Sequence, residues 1–597
     1  MKNWLSNPGV SGLAARETVV ALVLLLGAAC MPVKSADVDG FSLSAEEKAA
    51  HALNRLGYGP RPGEVEAVAG QGVENWIREQ LDPSLIADSG VEAAVDRLSK
   101  LRLSQQELVE AYRTEIRERA LLRRAEADGD PARAAELRRM RRSGEQLIVE
   151  QALGELQYAK LLRAVLSERQ LEEVLVDFWF NHFNVDARKQ QVRPSVVSYE
   201  RDVIRPRVFG SFRDLLGATA ESPAMLVYLD NFRSTREMEL SPAVRARTAR
   251  MREEPLGRVP QESADGNAAP ERRGLNENYG RELLELHTLG VDGGYTQEDV
   301  REVARAFTGW SVRPRTGEFI FRPRWHDDGE KEVLGTILPA GNGRRDGEAV
   351  LDLIASHPAT ATRIATKLCQ RFVADEPPED LVDRVATAFR ESDGDLLETY
   401  KALFFDPVFF SPEFFAAKTK SPFEYAASAL RASGAELHDD AGWRGRRPLR
   451  AMEAGAALGG GGDRLSRLRR KTVGLHLLEM GQAPYTWGSP TGFPEDSREW
   501  VSSGALLARL NFSLALVGGD VFGAKVDPAA LAENASGDAG DVVESLAQSV
   551  LGRAPSAGTL AVLLERTAPA ADGMGRSQPD IEKLLALVLG SPEFQYR

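Results

Sequence analysis

Cysteine is nearly missing from this chain: Cys30 and Cys369 are the only two. That excludes a disulfide framework and a cysteine-rich zinc module. Histidine is sparse as well. The seven histidines stand at 51, 182, 287, 326, 357, 438 and 476, and no two are closer than 31 residues. A metal site that used several of them would have to be assembled by the fold. His-Glu-x-x-His, Cys-x-x-Cys-His, Gly-x-Ser-x-Gly and the Rossmann glycine pattern are all lacking, so the common local catalytic signatures are excluded. A surplus of positive charge is lacking too. Lys and Arg number 75 against 88 Asp and Glu, for a net charge of −13. That balance argues against nucleic acid as a partner.

Long apolar runs are also missing. The one at Val19–Cys30 falls short of the roughly 20 residues that cross a bilayer. It follows Lys2 and Arg16, and a basic start before a short apolar run reads as a secretory signal over residues 1–36. Cleavage after Ala29 would leave Cys30 at the new N-terminus, as in a lipoprotein anchored to the membrane through a lipid on that residue. Cleavage near Ser35 or Ala36 is the competing reading. The expected address is therefore outside the cytoplasm: periplasm, outer membrane as a lipoprotein, or cell surface.

What remains is ample material for a core, with 43% hydrophobic residues, patterned mostly for helices. Ser44 before Ala45-Glu46-Glu47 is a helix start. Gly57, Gly59 and Pro60 stop that helix, and a second is expected near Pro62–Gln80. Residues 104–176 are almost free of Gly and Pro, and Leu108, Tyr112, Ile116, Ala120 and Leu121 recur at helical spacing. A long helical hairpin with charged outer faces is expected there. Residues 233–274 are rich in Arg, Glu, Pro and Gly and read as a flexible excursion. Residues 311–337 hold the clearest β signal. Glu318–Arg322 and Glu332–Ile337 flank Asp327-Asp328-Gly329 as a small hairpin inserted in a mainly α, multi-helix domain over 44–520. A helical extension over 525–597 is expected to pack on that domain or be linked to it. The glycines 459–462 lack a phosphate-loop Lys-Ser/Thr and read as a linker.

Four segments concentrate residues able to do chemistry. Phe178-Trp-Phe-Asn-His-Phe183 wraps aromatics around Asn181 and His182, with Trp179 beside them. In Asn276–Gly290, Asn276 is a cap, and Asn278, Glu282 and Glu285 share one helix face crossed by Arg281. This helix also carries His287. Thr308-Gly-Trp310 ends the next helix. Trp325-His-Asp-Asp-Gly-Glu-Lys331 fills the expected hairpin turn. His182, His287, His326 and Asp327 are the candidate ligands for a divalent metal such as zinc, iron or manganese. Glu282, Glu285, Arg281 and Lys331 are the candidate catalytic residues. Trp179, Asn181, Asn276, Asn278 and Trp310 are the candidate binding residues. The competing reading makes the same residues a buried, hydrogen-bonded structural seam.

These segments resemble the bacterial domain-of-unknown-function 1800 family. The resemblance rests on His51-Ala-Leu-Asn-Arg-Leu-Gly-Tyr-Gly59, Phe178–Phe183, Ser222–Asp230, Asn276–Gly290, Thr308–Trp310, His326–Lys331, His357–Thr360, Lys420-Ser-Pro422 and Leu506–Phe512. They run in family order over about residues 45–520. The resemblance implies an exported protein without an assigned reaction. It also implies a neighbouring gene for an exported sulfatase-like protein, a candidate partner. One departure stands out. The family usually reads Pro-x-Gly-Trp near the C-terminus, and this chain reads Pro490-Thr-Gly-Phe493. Two function classes follow: a metal-dependent or acid–base enzyme of the cell envelope, or a non-enzymatic envelope binding or assembly protein.

Overall fold

Ser44 opens the first described helix, Ala45–Arg55, with a full capping box: its hydroxyl accepts from Glu47 N–H, and the Glu47 carboxylate returns to the Ser44 N–H. Two orphan donors are thereby satisfied. The computed structural model describes residues 42–142, 147–236, 274–438, 471–533, 535, 537–567 and 579–597. The leader over 1–36, nearly all of 233–274 and the glycines 459–462 lie outside them.

Helices dominate the described chain, and the few strands form four two-stranded sheets. The helix expected at 62–80 is two helices, Glu64–Gln71 and Val73–Gln80. Gly72 sits between them with φ +90°, a left-handed backbone that a β-carbon would strain.

The expected long hairpin over 104–176 is shorter. Gln105–Ala127 and Pro131–Arg142 pair with each other, but Ile148–Leu166 is a core helix with thirteen buried residues. The predicted stripe is buried only at Leu108. Ile116, Ala120 and Leu121 are exposed, and the helix also buries Val109, Glu115, Leu122 and Ala125. The outer half of this hairpin has a small core of its own, Leu122, Ala125, Ala134 and Leu137.

The β region is mainly as read, but its pairing differs. Phe319–Phe321 turns back onto Trp310–Val312, and Lys331–Val333 pairs with Thr336–Leu338. These are two small hairpins rather than one. Leu334-Gly335 makes the second turn with φ +50° and +74°, the local geometry that closes a tight antiparallel hairpin.

One continuous hydrophobic cluster runs from Ala49 to Phe594. Its centre is Pro422–Ala432, buried along its whole length, a pattern that marks a helix surrounded by protein. The C-terminal segment belongs to this body. Ile581–Gly590 packs on Ser503–Val517 and Ala539–Leu551, the Tyr425 hydroxyl lies 3.1 Å from the Leu589 carbonyl, and Thr419 bridges Tyr596. No described helix is long and apolar enough to cross a membrane.

Candidate functional site

The segment around His326 is fully occupied by its own contacts. His326 Nδ1 lies 2.8 Å from the Thr308 carbonyl oxygen, and Nε2 lies 3.1 Å from Asp346 Oδ2. Lys331 donates to the same Asp346 oxygen at 2.6 Å and to the carbonyls of Asp327 and Gly329. Asp327 takes a two-pronged hydrogen bond from Arg305 at 3.0 and 3.1 Å. Arg305 holds the Asp327 carboxyl below its ordinary range, outweighing the opposing effect of burial. His326, Asp327 and Lys331 each have a charged partner and brace the hairpins, and Asp346 Oδ1 alone of this group is buried without a hydrogen bond.

The remaining candidates are dispersed over the core and the surface. The Trp179 indole donates to the Tyr400 hydroxyl at 2.6 Å in the core. Trp310 is fully buried against Gly347, where an added β-carbon would come within 2.6 Å of the indole. Asn276 caps Glu277–Glu282 and reaches the Leu229 carbonyl. Asn278 is exposed. Arg281 pairs with Gln297 and Glu277 at the surface.

A different convergence forms along the facing helices Gln170–His182 and Pro358–Phe372. The helix Glu277–Glu282 passes into a π turn, Leu283–His287, a distortion enriched at functional sites. That turn aims the His287 carbonyl at His182 Nε2, 3.0 Å away. A carbonyl can only accept, so Nε2 carries the proton and Nδ1 keeps its lone pair. That Nδ1 and His287 Nε2 are both buried without a hydrogen-bond partner. The two rings stand 6.3 Å apart, with Phe183 against both.

Pro358–Phe372 contributes Arg363, Lys367 and Arg371 at four-residue steps, which puts all three on one face. Burial, followed by the charge on Lys367, pushes His182 well below its ordinary 6.5 and His287 to about 3. Both rings are neutral at physiological pH. Burial and then Arg363 lower Lys367 to about 8, against the opposing pull of Glu495. Arg363 also feels Glu285, and Glu282 is raised by burial and by Glu285 beside it. His182 and His287 therefore meet beside Lys367, Glu285 acts on Arg363 of the same helix, and His326 and Asp327 are committed elsewhere.

The seam continues into a small cleft with a volume of about 30 Å³, lined by Asp177, Asn181, Arg371, Gln482, Trp500 and Arg597 among others. That is room for about two waters. Asn181 pins one wall: its amide donates to the Phe493 carbonyl and Glu495, and its oxygen accepts from Phe493 N–H. Phe493, where the family usually has Trp, packs against Trp487 and Trp500. Gly492 allows this approach. Its φ is +74°, and a β-carbon would stand 2.3 Å from the Asn181 carbonyl oxygen. Gly492→Ala is expected to cost about 2 kcal/mol or more in thermal or urea unfolding. A change below about 0.5 kcal/mol would contradict this reading of the wall.

The cations of 358–372 escape the sequence reading, although their i, i+4, i+8 spacing in a helix with no other charge is a usable signal. Asp177, Glu424, Glu495 and Arg597, which meet the cleft from distant parts of the chain, have no such local signal. Among the described residues no three of His, Cys, Asp and Glu are arranged to hold a metal ion, so His182, His287, His326 and Asp327 do not form the expected ligand set. No curated protein and no solved structure matched the chain. The family model described as "Protein of unknown function (DUF1800)" matches residues 51–596, which takes in the C-terminal helices as well, and the chain belongs to that family.

Proposed function

We propose that the protein is exported to the cell envelope and works there as an acid–base enzyme, with the seam between Gln170–His182 and Pro358–Phe372 as its reacting centre. The observation that carries this reading is the unpartnered pair His182 Nδ1 and His287 Nε2 beside Lys367. An amine at about 8 exchanges a proton near neutrality, and the neutral imidazoles beside it leave bare ring nitrogens to hydrogen-bond and orient a substrate. Arg363 stands by to hold an anionic group. The basic, apolar N-terminus of the sequence supports export, with Cys30 or a site near Ala36 as the start of the mature chain.

The test uses purified full-length mature protein incubated with envelope extract from a strain lacking the gene, with products followed by mass spectrometry. Lys367→Met and His182→Gln should each cut every protein-dependent change by about 10²–10⁴. Changes that survive both substitutions, or no change with the unaltered protein, would remove the enzyme reading. The mass of the mature N-terminus from fractionated cells checks export. A full-length chain in the cytosol would count against it.

A second reading, an envelope binding or assembly protein, is favoured by the hairpin 105–142. It has its own small core and exposes Ile116 and Leu121. The exported sulfatase-like neighbour is the partner this reading names, and co-purification of the two from envelope fractions is its test. Loss of that co-purification on deleting 112–139 would tie the contact to the hairpin.

A further inference from the structure

The charged core beside the cleft is unbalanced. Arg55, Arg371, Arg597 and Lys418, with Lys160 and Lys367 beside them, face only four carboxylates: Glu424, Asp375, Asp177 and Glu495. Arg371 itself lies 3.9 Å from Asp177 and 4.0 Å from Glu495, beyond hydrogen-bond reach. Arg55, Arg371 and Arg597 are each at least nine-tenths buried. Arg371 Nε and Arg597 Nε lack a hydrogen-bond partner, as do Nε and Nη1 of Arg55. Buried guanidinium N–H groups without acceptors are costly and rare in a finished core. Two of these three side chains line the cleft, together with the polar Asn181, Thr419 and Gln482.

We infer that this cleft is a binding site for the carboxylate group of a small monoanion, held by Arg371 and Arg597. The guanidinium fork matches a planar carboxylate. The volume of about 30 Å³ admits a group of that size. Glu424 and Glu495 at the same walls repel a dianion, which disfavours phosphate and sulfate. Trp500 and Phe493 also line the cleft and offer an apolar surface for the rest of the ligand. The site stands whether or not the neighbouring seam performs chemistry.

The test is acetate binding to the purified full-length mature protein, read by line broadening of the acetate methyl signal at constant ionic strength. Gln482→Glu is the informative variant. Gln482 accepts from the Phe423 N–H through its side-chain oxygen, and glutamate keeps that acceptor while adding a negative charge to the cleft. Saturable binding is expected, weakened at least about tenfold by Gln482→Glu, with phosphate and sulfate competing poorly. If that variant fails to fold, Thr419→Asp places the charge on another wall and should weaken binding similarly. Three results would overturn the inference: no saturable binding, binding unchanged in a folded variant, or phosphate or sulfate displacing acetate more tightly than acetate binds.

Discussion

Glu424→Gln should destabilise the protein by about 3–5 kcal/mol, because it strands two buried arginines. Glu424 pairs directly with Arg371, and Arg597 Nη1 approaches it at 3.0 Å. All three side chains are nearly sealed from water. Burial alone would raise the carboxyl, but Arg371 and Arg597 outweigh it and hold Glu424 at about 2 against an ordinary 4.5. That depression corresponds to about 3 kcal/mol. The sign follows from the direction. The unfolded chain binds the proton more tightly, so the contribution is fully present above about pH 4.5 and fades as pH falls toward 2. Urea midpoints measured from neutral to acid pH should therefore fall for the unaltered protein and much less for Glu424→Gln. A loss below about 1 kcal/mol at neutral pH would mean the arginines have another counter-ion.

Asp346→Asn should be nearly as severe, again about 3–5 kcal/mol. One carboxylate oxygen serves both His326 Nε2 at 3.1 Å and Lys331 Nζ at 2.6 Å, and the Lys331 side chain is 0% exposed. Asparagine keeps the shape but leaves the lysine charge buried beside a neutral amide. The two small hairpins should loosen together, since Lys331 also ties the carbonyls of Asp327 and Gly329. Hydrogen exchange across 310–338 and the unfolding midpoint check this. If Asp346→Asn kept full stability and bound a stoichiometric metal, the bracing role given to His326 and Asp327 would be wrong.

These two clusters show what local sequence could and could not reveal. The caps at Ser44 and Asn276 act within three residues, so spacing was enough to find them. Helical patterning gave the fold class for the same reason. The pairing of Phe319–Phe321 was misread because its partner, Trp310–Val312, looked like the tail of a helix. At the site, His182 and His287 stand out by residue type, and the fold brings these two together. His326 and Asp327 looked equally able to bind a metal. Their commitments to Asp346 and Arg305 are about 20 residues away in sequence, and no periodicity announces such a pairing. The cleft is harder still. Arg597 meets Arg371 across 226 residues, and Asn181 meets Phe493 across 312. Only the assembled core joins them.

The Phe493 departure takes on meaning in this setting. A smaller ring than the usual Trp stands against Trp487 and Trp500 beside Asn181. The wall it forms is kept in place by the Asn181 side-chain amide bonded to the Phe493 backbone rather than by the ring itself, so the cleft survives the exchange.

Whether the proposed seam holds a proton-transfer group poised near neutrality is read most directly at Lys367. Competitive labelling of the folded protein with trace acetic anhydride, followed by peptide mass spectrometry across the neutral to alkaline range, gives the titration of that one amine. A midpoint near 8 that moves upward when Arg363 is replaced by Gln is expected. A midpoint at the ordinary 10.5, unmoved by that substitution, would contradict it.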